Sequence, residues 1–476
     1  MIYKYYGPPG TGKTYKLISR AKAYVRIGTP LHKIGYFAFT KKAATEAKNR
    51  MPAEDKKLPY FQTLHSFAYH QLTLNEEDVM QPFHYEELGK LLNIKVKYHD
   101  KYNKEEVSYL NCDSPYFQMI GKAMNRDVSI REEFDRNEHN SKEIKWHLLK
   151  YIDDNLKVYK EKRKLLDFND MIKNLISKQN LPKFKVIFID EAQDLSPLQW
   201  QLYDKLKECA NDIYLAGDDD QAIYAWAGAN VERFIEEPAK EKVLKYSKRI
   251  SKTIQEESDI PISKILGVRK DKNYYPRNFE GSSENINNLD QINLNTGKWL
   301  ILTRTLSRLS SIKEELIKRN LYFKVKKEKS FKVRLYKAAM KYTYWCMGKI
   351  LEEKDIKDIN EFIGSEKWNH QVEWFDAFQE ADEKEKFYIK NMIDNGENLD
   401  EDARISISTI HASKGGEEDN VILCLDIGNK IKKAMLKSID KHDEEHRVWY
   451  VGITRARNNL YKLKANLKRN EYKLWE

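Results

Sequence analysis

The sequence predicts an α/β protein with two doubly wound parallel sheets and mainly helical inserted subdomains. Short apolar runs recur along the 476 residues, and their β-branched and aromatic content is typical of buried parallel strands. The runs are 34–40, 186–190, 213–216, 299–303 and 421–426, with helical stretches between them. Because they form one set before about residue 235 and another after about residue 295, we expect two sheets facing each other across a nucleotide site.

A glycine-rich loop follows the first predicted strand, at 2–6. A helix is predicted after the loop because four apolar residues share one of its faces, namely Leu17, Ile18, Ala21 and Val25. The loop itself is Gly7-Pro8-Pro9-Gly10-Thr11-Gly12-Lys13-Thr14. In such a loop backbone N–H groups surround phosphates, Lys13 reaches the outer two, and the Thr14 hydroxyl is placed to bind Mg²⁺. This pattern predicts a nucleoside triphosphate site at a helix N-terminus.

The apolar run at 186–189 ends in two adjacent carboxylates, Asp190 and Glu191. Beside a phosphate loop, Asp190 would hold Mg²⁺ through water and Glu191 would orient or deprotonate the attacking water. Acidic residues are also common at helix starts because they favour the helix dipole. The phosphate loop favours the catalytic interpretation.

With six further motifs, the chain resembles superfamily 1 DNA helicases of the UvrD/Rep/PcrA type. The motifs follow one another in the order of that family. They are FAFTKKAA (37–44), TLHSF (63–67), LLDFND (165–170), GDDDQAIYAWAGA (217–229), TIHASKGGE (409–417) and YVGITRAR (450–457).

The resemblance implies two RecA-like domains that carry inserted subdomains. The first domain (1A) would comprise 1–78 and 151–238, with the insertion 1B at 79–150. The second domain (2A) would comprise 239–325 and 401–476, with a reduced insertion 2B at 326–400. Within 2A, residues 268–296 are rich in Asn, Asp and Lys and predict a surface excursion.

The resemblance also implies a catalytic set, with ATP and Mg²⁺ as cofactors. Gln221 would sense the γ-phosphate, and Arg249 and Arg455 would reach across from the second domain to stabilise charge on the transferring phosphoryl group. Glu417 is similar to the family residue that meets the nucleotide sugar. The catalytic residues would therefore be Lys13, Asp190, Glu191, Gln221, Arg249 and Arg455.

Two positions that clamp adenine in the family hold different residues here. Tyr15 stands in place of an arginine, and Lys248 in place of a tyrosine. We hypothesise that the clamp survives with its chemistry exchanged, Tyr15 stacking and Lys248 supplying the cation. Local packing of Tyr15 and a solvated Lys248 form the alternative. Six residues before Gly7 leave no room for the family segment that reads the adenine edge, so we expect relaxed base selectivity.

Several residues match the track that holds the DNA strand in the family. Stacking rings would be Phe39, Tyr224 and Trp226, although core packing is the alternative for each. Further contacts would come from Thr40, His65, Arg304, His411 and Lys414. The net charge of +11, from 84 Lys and Arg against 73 Asp and Glu, favours a polyanionic partner, although a lysine-rich surface would also give it.

Together these features predict an ATP-dependent single-stranded DNA translocase and helicase, moving 3′ to 5′ as the resemblance implies. Its partners would be single-stranded DNA and single-strand/duplex junctions; RNA and a protein loading partner stay open. Because the second insertion is short, an alternative function stays open. The protein would then be an ATP-gated clamp or a protein-displacing subunit that unwinds little DNA by itself. Without an apolar run long enough to cross a bilayer, we expect no membrane partner and a cytoplasmic protein, bacterial or from a phage or mobile element.

Overall fold

The computed structural model describes residues 1–52, 58–97, 112–136, 144–178, 180–363 and 368–473. They form two compact units. The first unit comprises Met1–Ile250, Ile262–Asn278 and Ser438–Tyr450. The second comprises Ser251–Pro261, Phe279–Lys437 and Val451–Glu476. The chain therefore passes between the units several times.

A parallel six-stranded sheet forms the centre of the first unit. Its strands are β1 (Ile2–Tyr6), β2 (Ile34–Phe37), β3 (Phe61–Gln62), β4 (Phe184–Ile189), β5 (Ala210–Gly217) and β6 (Lys240–Val243). They lie in the order β3-β2-β4-β5-β1-β6, and every neighbouring pair is parallel. Non-consecutive neighbours require crossover connections, as in a doubly wound fold.

Helices cover both faces of this sheet. Alternate residues of β4 enter different apolar clusters, Ile187 on one face and Val186 and Phe188 on the other. The helices are α1 (Lys13–Arg26), α2 (Lys41–Asn49), α3 (Leu64–Gln71), α4 (Pro82–Leu91), α5 (Pro115–Asn125), α6 (Ile130–Arg136), α7 (Trp146–Arg163), α8 (Phe168–Ser177), α9 (Pro197–Lys207) and α10 (Val231–Glu236). Residues of α4, α5 and α7 share an apolar cluster of their own.

The second unit contains a seven-stranded sheet. Its strands are β7 (Ser282–Ile286), β8 (Trp299–Thr303), β9 (Phe323–Val325), β10 (Glu328–Lys329), β11 (Ile405–Thr409), β12 (Glu418–Cys424) and β13 (Ala456–Leu463). The order is β10-β9-β11-β8-β12-β13-β7, and only the edge pair β9–β10 is antiparallel.

The remaining helices lie wholly or partly in the second unit. They are α11 (Lys252–Ser263), α12 (Leu306–Lys318), α13 (Val333–Cys346), α14 (Glu353–Ile363), α15 (Trp374–Ala377), α16 (Glu383–Asp394), α17 (Asn429–Met435) and α18 (Ile439–Ile453). Helices α13 to α16 share an aromatic-rich core that includes Tyr342 and Phe378. None of the helices in the described ranges is both long and apolar enough to cross a membrane.

The predicted fold class is confirmed. Two local details, at residues 268–296 and at strand β6, differ from the expectation. The surface excursion expected at 268–296 is correct for most of these residues, which are exposed, but Lys272 is buried and β7 pairs with β13 at the edge of the second sheet. Strand β6 pairs with β1 in the first sheet, although the sequence analysis began the second domain at residue 239. The division into RecA-like domains and insertions stays a prediction.

Candidate functional site

The phosphate loop turns tightly between β1 and α1. Gly10 adopts a φ of +72°, and a Cβ there would lie 2.3 Å from the Cβ of Arg249. No larger residue therefore fits at this position. The Lys13 ammonium donates a hydrogen bond to the Gly7 carbonyl at 3.0 Å, so its side chain folds back along the loop. A phosphate held by the loop would lie within reach of this cation.

Asp190, at the end of β4, meets the phosphate loop directly. The Thr14 hydroxyl donates to its carboxylate at 2.6 Å, and the Tyr36 hydroxyl donates to the same oxygen at 2.9 Å. Burial, with the charge of Glu191 adding to it, raises the pKa of Asp190 to about 6. A hydroxyl and a carboxylate side by side are hard oxygen ligands, which fit Mg²⁺ that is also bound by nucleotide phosphates.

Glu191 is held in an unusual backbone conformation. Its φ is +54°, in the left-handed region that non-glycine residues rarely adopt. Its carboxylate lies 3.9 Å from the Lys13 ammonium and accepts a hydrogen bond from the Gln193 amide at 2.8 Å. The contact with Lys13 places the carboxylate beside the phosphate loop. Gln193 was not singled out by the sequence analysis, although it lies two residues after Glu191 in the same motif.

Gln221 lies in a short turn after β5, close to the same edge of the sheet. Its side-chain amide donates to the Asp218 carboxylate at 2.6 Å. The Asp218 backbone N–H in turn donates to the Gln193 side chain at 3.0 Å. Hydrogen bonds therefore connect Glu191 to Gln221 through Gln193 and Asp218.

The segment around Arg249 packs on the phosphate loop within the first unit. The Ser247 hydroxyl donates to the Pro9 carbonyl at 2.7 Å, and the Lys248 backbone N–H donates to the Gly10 carbonyl at 2.9 Å. Arg249 therefore lies in the unit that carries the loop, whereas the sequence analysis placed it in the second domain. The polar segment 244–250 gives no strand or helix signal, so the sequence does not indicate this contact with the loop.

Tyr15 and Lys248 lie close to each other. The Lys248 ammonium is 5.8 Å from the centroid of the Tyr15 ring, within the range of a cation–π contact. Tyr15 is 69% exposed, so its ring face is accessible to a planar ligand. This geometry supports the exchanged clamp, and its role in nucleotide binding stays a prediction.

Three aromatic side chains form a partly exposed group at another part of the first unit. The rings of Phe39 and Tyr224 stack with centroids 5.3 Å apart and 28° between their planes. The Trp226 ring lies 6.5 Å from that of Tyr224. All three side chains are partly exposed, as bases stacking on them would require.

Residues distant in sequence hold the loop that carries Trp226. Its backbone N–H donates to the Glu444 carboxylate at 2.7 Å, and the Asn125 side chain donates to the Ala227 carbonyl at 2.7 Å. Arg126 donates to the Ala225 carbonyl at 3.1 Å and pairs with the fully buried Glu133 at 2.9 Å. Sequence reasoning missed these anchors because they are polar residues far from the loop in the chain, with no motif that links them to it.

Two further strand-track candidates of the first unit have structural partners. The Thr40 hydroxyl caps α2 by accepting a hydrogen bond from the Ala43 N–H at 3.1 Å. His65 is buried against the Phe168 ring, and burial lowers its pKa to about 4. The imidazole is therefore neutral at pH 7.

The second unit carries the remaining predicted residues. Arg455 is buried, and its guanidinium donates to the carbonyls of Val451 at 3.0 Å and Gly416 at 3.1 Å. The second bond places it beside the loop that carries the exposed Glu417. Desolvation lowers the pKa of His411 to about 3, and the neighbouring charges of Arg304 and Lys414 contribute. These three candidates therefore lie close together.

The part of the chain that carries the phosphate loop matches a known protein family. Residues 5–242, half of the chain, match the family described as the UvrD/REP helicase N-terminal domain. The chain belongs to the UvrD/REP helicase family. The match begins in β1 and ends in β6, so it includes the phosphate loop, the acidic end of β4 and the Gln221 turn of this UvrD/REP helicase domain.

Individual relatives of this UvrD/REP helicase chain share 26–28% of their residues with it over the matched segments. The YjcD protein of Bacillus subtilis is 27% identical over 297 residues, which cover 58% of this chain and 38% of the relative. ATP-dependent DNA helicase Rep of Buchnera aphidicola is 26% identical, covering 47% of this chain and 34% of the relative. ATP-dependent DNA helicase PcrA of B. subtilis is 28% identical, covering 42% and 29%. The chain thus spans about a third of the length of these relatives, from 29% to 38%.

Proposed function

We propose that this protein hydrolyses ATP and uses the free energy to move 3′ to 5′ along single-stranded DNA and to separate duplex DNA. The contact between Thr14 and Asp190 carries the proposal, because it joins the phosphate loop to the acidic strand end at 2.6 Å. Relatives named ATP-dependent DNA helicases support the substrate class. The direction rests on resemblance.

Each residue of the site has a part in hydrolysis. Lys13 and the loop N–H groups bind the phosphates, and Thr14 and Asp190 would hold Mg²⁺, which would offset the phosphate charge. Glu191 accepts the proton of the water that attacks the γ-phosphorus, while the bond to the β-phosphate oxygen breaks and ADP leaves. Gln221 contacts the γ-phosphate. Arg249 and Arg455 stabilise the charge that develops on the transferring group.

In this proposal ATP is bound between the two RecA-like domains, and its hydrolysis changes how each domain holds the strand. Phe39, Tyr224 and Trp226 stack on bases, which requires no particular sequence. Thr40, His65, Arg304, His411 and Lys414 lie in motifs that follow the backbone of the strand. A protein that moves along DNA must bind the strand whatever its base sequence.

Steady-state ATP hydrolysis with and without oligodeoxythymidylate tests the proposal. We expect stimulation by the oligonucleotide, and we expect Lys13→Ala to lower kcat by about 100-fold or more because a donor to the transferring phosphate is lost. Lys22→Ala, farther along α1, is the matched control and should hydrolyse ATP like the wild type. A wild-type protein without ATP hydrolysis, or an active Lys13→Ala, would refute the proposal.

An ATP-gated clamp is the second candidate function, because the second insertion is short. The described helices of that insertion, α13 to α16, span only residues 333–394. A clamp would hydrolyse ATP in response to DNA and leave a tailed duplex intact. Strand release measured on the same sample distinguishes the two functions.

A further inference from the structure

One lysine of the first unit is enclosed by three consecutive aspartates. The Lys272 ammonium lies 3.0 Å from the Asp218 carboxylate and 2.8 Å from that of Asp220, and it also donates to Asp219. The side chains of all four residues are 2% exposed or less. Buried carboxylates require compensating charge, so the turn depends on a cation supplied from more than 50 residues away.

The pKa values of Lys272 and of the three aspartates depend on one another's charges. Burial alone would lower the pKa of Lys272, but the three carboxylates outweigh it and hold the pKa above its ordinary value. Burial raises the pKa of Asp219, and the neighbouring Asp220 and Asp218 add to this, whereas Lys272 opposes it. Without the ammonium, the pKa of Asp219 would rise further.

The segment that carries Lys272 is fixed at further points of the first unit. The Arg269 guanidinium forms a bidentate ion pair with the Asp220 carboxylate, with N–O distances of 2.8 and 3.0 Å. The N–H groups of Leu266 and Gly267 donate to the Asp443 carboxylate in α18, at 3.0 and 2.7 Å. The position of the ammonium is thus set by these contacts of the neighbouring segment as well as by its own ion pairs.

This group is connected directly to the residues around the phosphate loop. Asp218 uses one carboxylate oxygen for Lys272 and the other for the Gln221 amide, at 2.6 Å. Its backbone N–H donates to Gln193, which also binds Glu191. A change in the position of Asp218 would therefore move the Gln221 amide.

We propose that Lys272 is a positioning residue for hydrolysis, holding the Asp218 carboxylate so that Gln221 faces the γ-phosphate. The proposal rests on the proposed function for the role of Gln221. It predicts that Lys272 acts only through Gln221 and only on a nucleotide that has a γ-phosphate. ADP affinity should not depend on it.

The test uses Lys272→Met, Gln221→Ala and the double variant in the full chain. For each we would measure kcat and KM for ATP with saturating oligodeoxythymidylate, and Kd for ADP and for a non-hydrolysable ATP analogue. Lys270→Met is the matched control, because its ammonium pairs with Glu241 and its contact to Asp219 comes from the backbone. Lys272→Arg tests whether a different cation restores activity.

We expect Lys272→Met to lower kcat by about 100-fold, the size of effect that a displaced catalytic group can have. The analogue should bind more weakly while ADP binds as before, and the double variant should be no slower than the slower single variant. Lys272→Arg should recover part of kcat, and Lys270→Met should match the wild type. Losses that multiply in the double variant, equal weakening of both nucleotides, or an unchanged kcat in Lys272→Met would overturn the proposal.

A second variant addresses folding. If Lys272→Met does not fold, Lys272→Met is combined with Asp219→Asn, which removes one charge of each sign and should restore folding. This variant should also bind the ATP analogue more weakly than the wild type does, with the Kd for ADP unchanged. An unchanged ratio of the two Kd values would overturn the proposal. If the wild type binds ATP without hydrolysing it, the proposed function fails, and the two Kd values still test the role of Lys272.

Discussion

Replacing Trp226 by alanine tests the proposed strand track directly, because residues distant in the chain hold the backbone of its loop. The loop is fixed by backbone contacts, from the Trp226 N–H to Glu444 and from Asn125 to the Ala227 carbonyl. Trp226→Ala should therefore leave the loop in position and remove one stacking surface. A base stacked on an aromatic side chain contributes about 1–3 kcal/mol, which corresponds to a Kd for single-stranded DNA that is about 5- to 150-fold higher.

Fluorescence anisotropy of a labelled oligodeoxythymidylate gives this Kd at one fixed salt concentration, since binding to phosphates depends strongly on salt. Trp226→Phe keeps a smaller ring and should give an intermediate Kd. Tyr151→Ala, which removes an aromatic side chain that is 52% exposed on α7, is the control and should bind like the wild type. If Trp226→Ala binds within twofold of the wild type at an unchanged thermal midpoint, Trp226 does not stack on DNA.

Three further substitutions test other contacts. Arg126→Ala leaves the buried Glu133 carboxylate without its ion pair, so we expect the free energy of unfolding in a denaturant titration to fall by about 3–5 kcal/mol; an unchanged value would contradict the importance of this pair. Tyr15→Ala should weaken ATP binding severalfold, whereas Tyr15→Phe keeps the ring beside Lys248 and should bind as the wild type does. Equal affinity of both variants would exclude stacking. Because burial lowers the pKa of His65 to about 4, the unfolded chain binds the extra proton below pH 6.5, and this costs roughly 3 kcal/mol of stability as the pH falls to 4. The unfolding free energy of His65→Gln should depend less on pH over that interval, and an identical pH dependence would show that His65 is not the group responsible.

The parts of the site that were predictable from sequence are local ones. The phosphate loop lies between a strand and a helix that its own sequence specifies, and Asp190 and Glu191 follow an apolar strand directly. Parallel strands bring such loops to one edge of a sheet, so their proximity follows from the fold class. The contact of Thr14 with Asp190 agrees with that reasoning.

The parts that were missed depend on partners distant in the chain. Lys272 lies in a stretch whose Asn, Asp and Lys content is typical of an exposed loop, and only the three aspartates after β5 make its burial favourable. The edge strands β7 and β10 contain few apolar residues, so their pattern does not stand out. The left-handed backbone of Glu191 has no signal in the sequence, because glycine is the residue usual in that conformation.

Unwinding of a tailed duplex tests the central claim most directly. A fluorescently labelled DNA duplex with a 3′ single-stranded tail, the same duplex with a 5′ tail and a blunt duplex are incubated with protein, ATP and Mg²⁺, and strand release is followed in time. We predict release from the 3′-tailed duplex only, and none for Lys13→Ala. ATP hydrolysis that is stimulated by DNA while all three duplexes stay intact would contradict a helicase and favour the clamp.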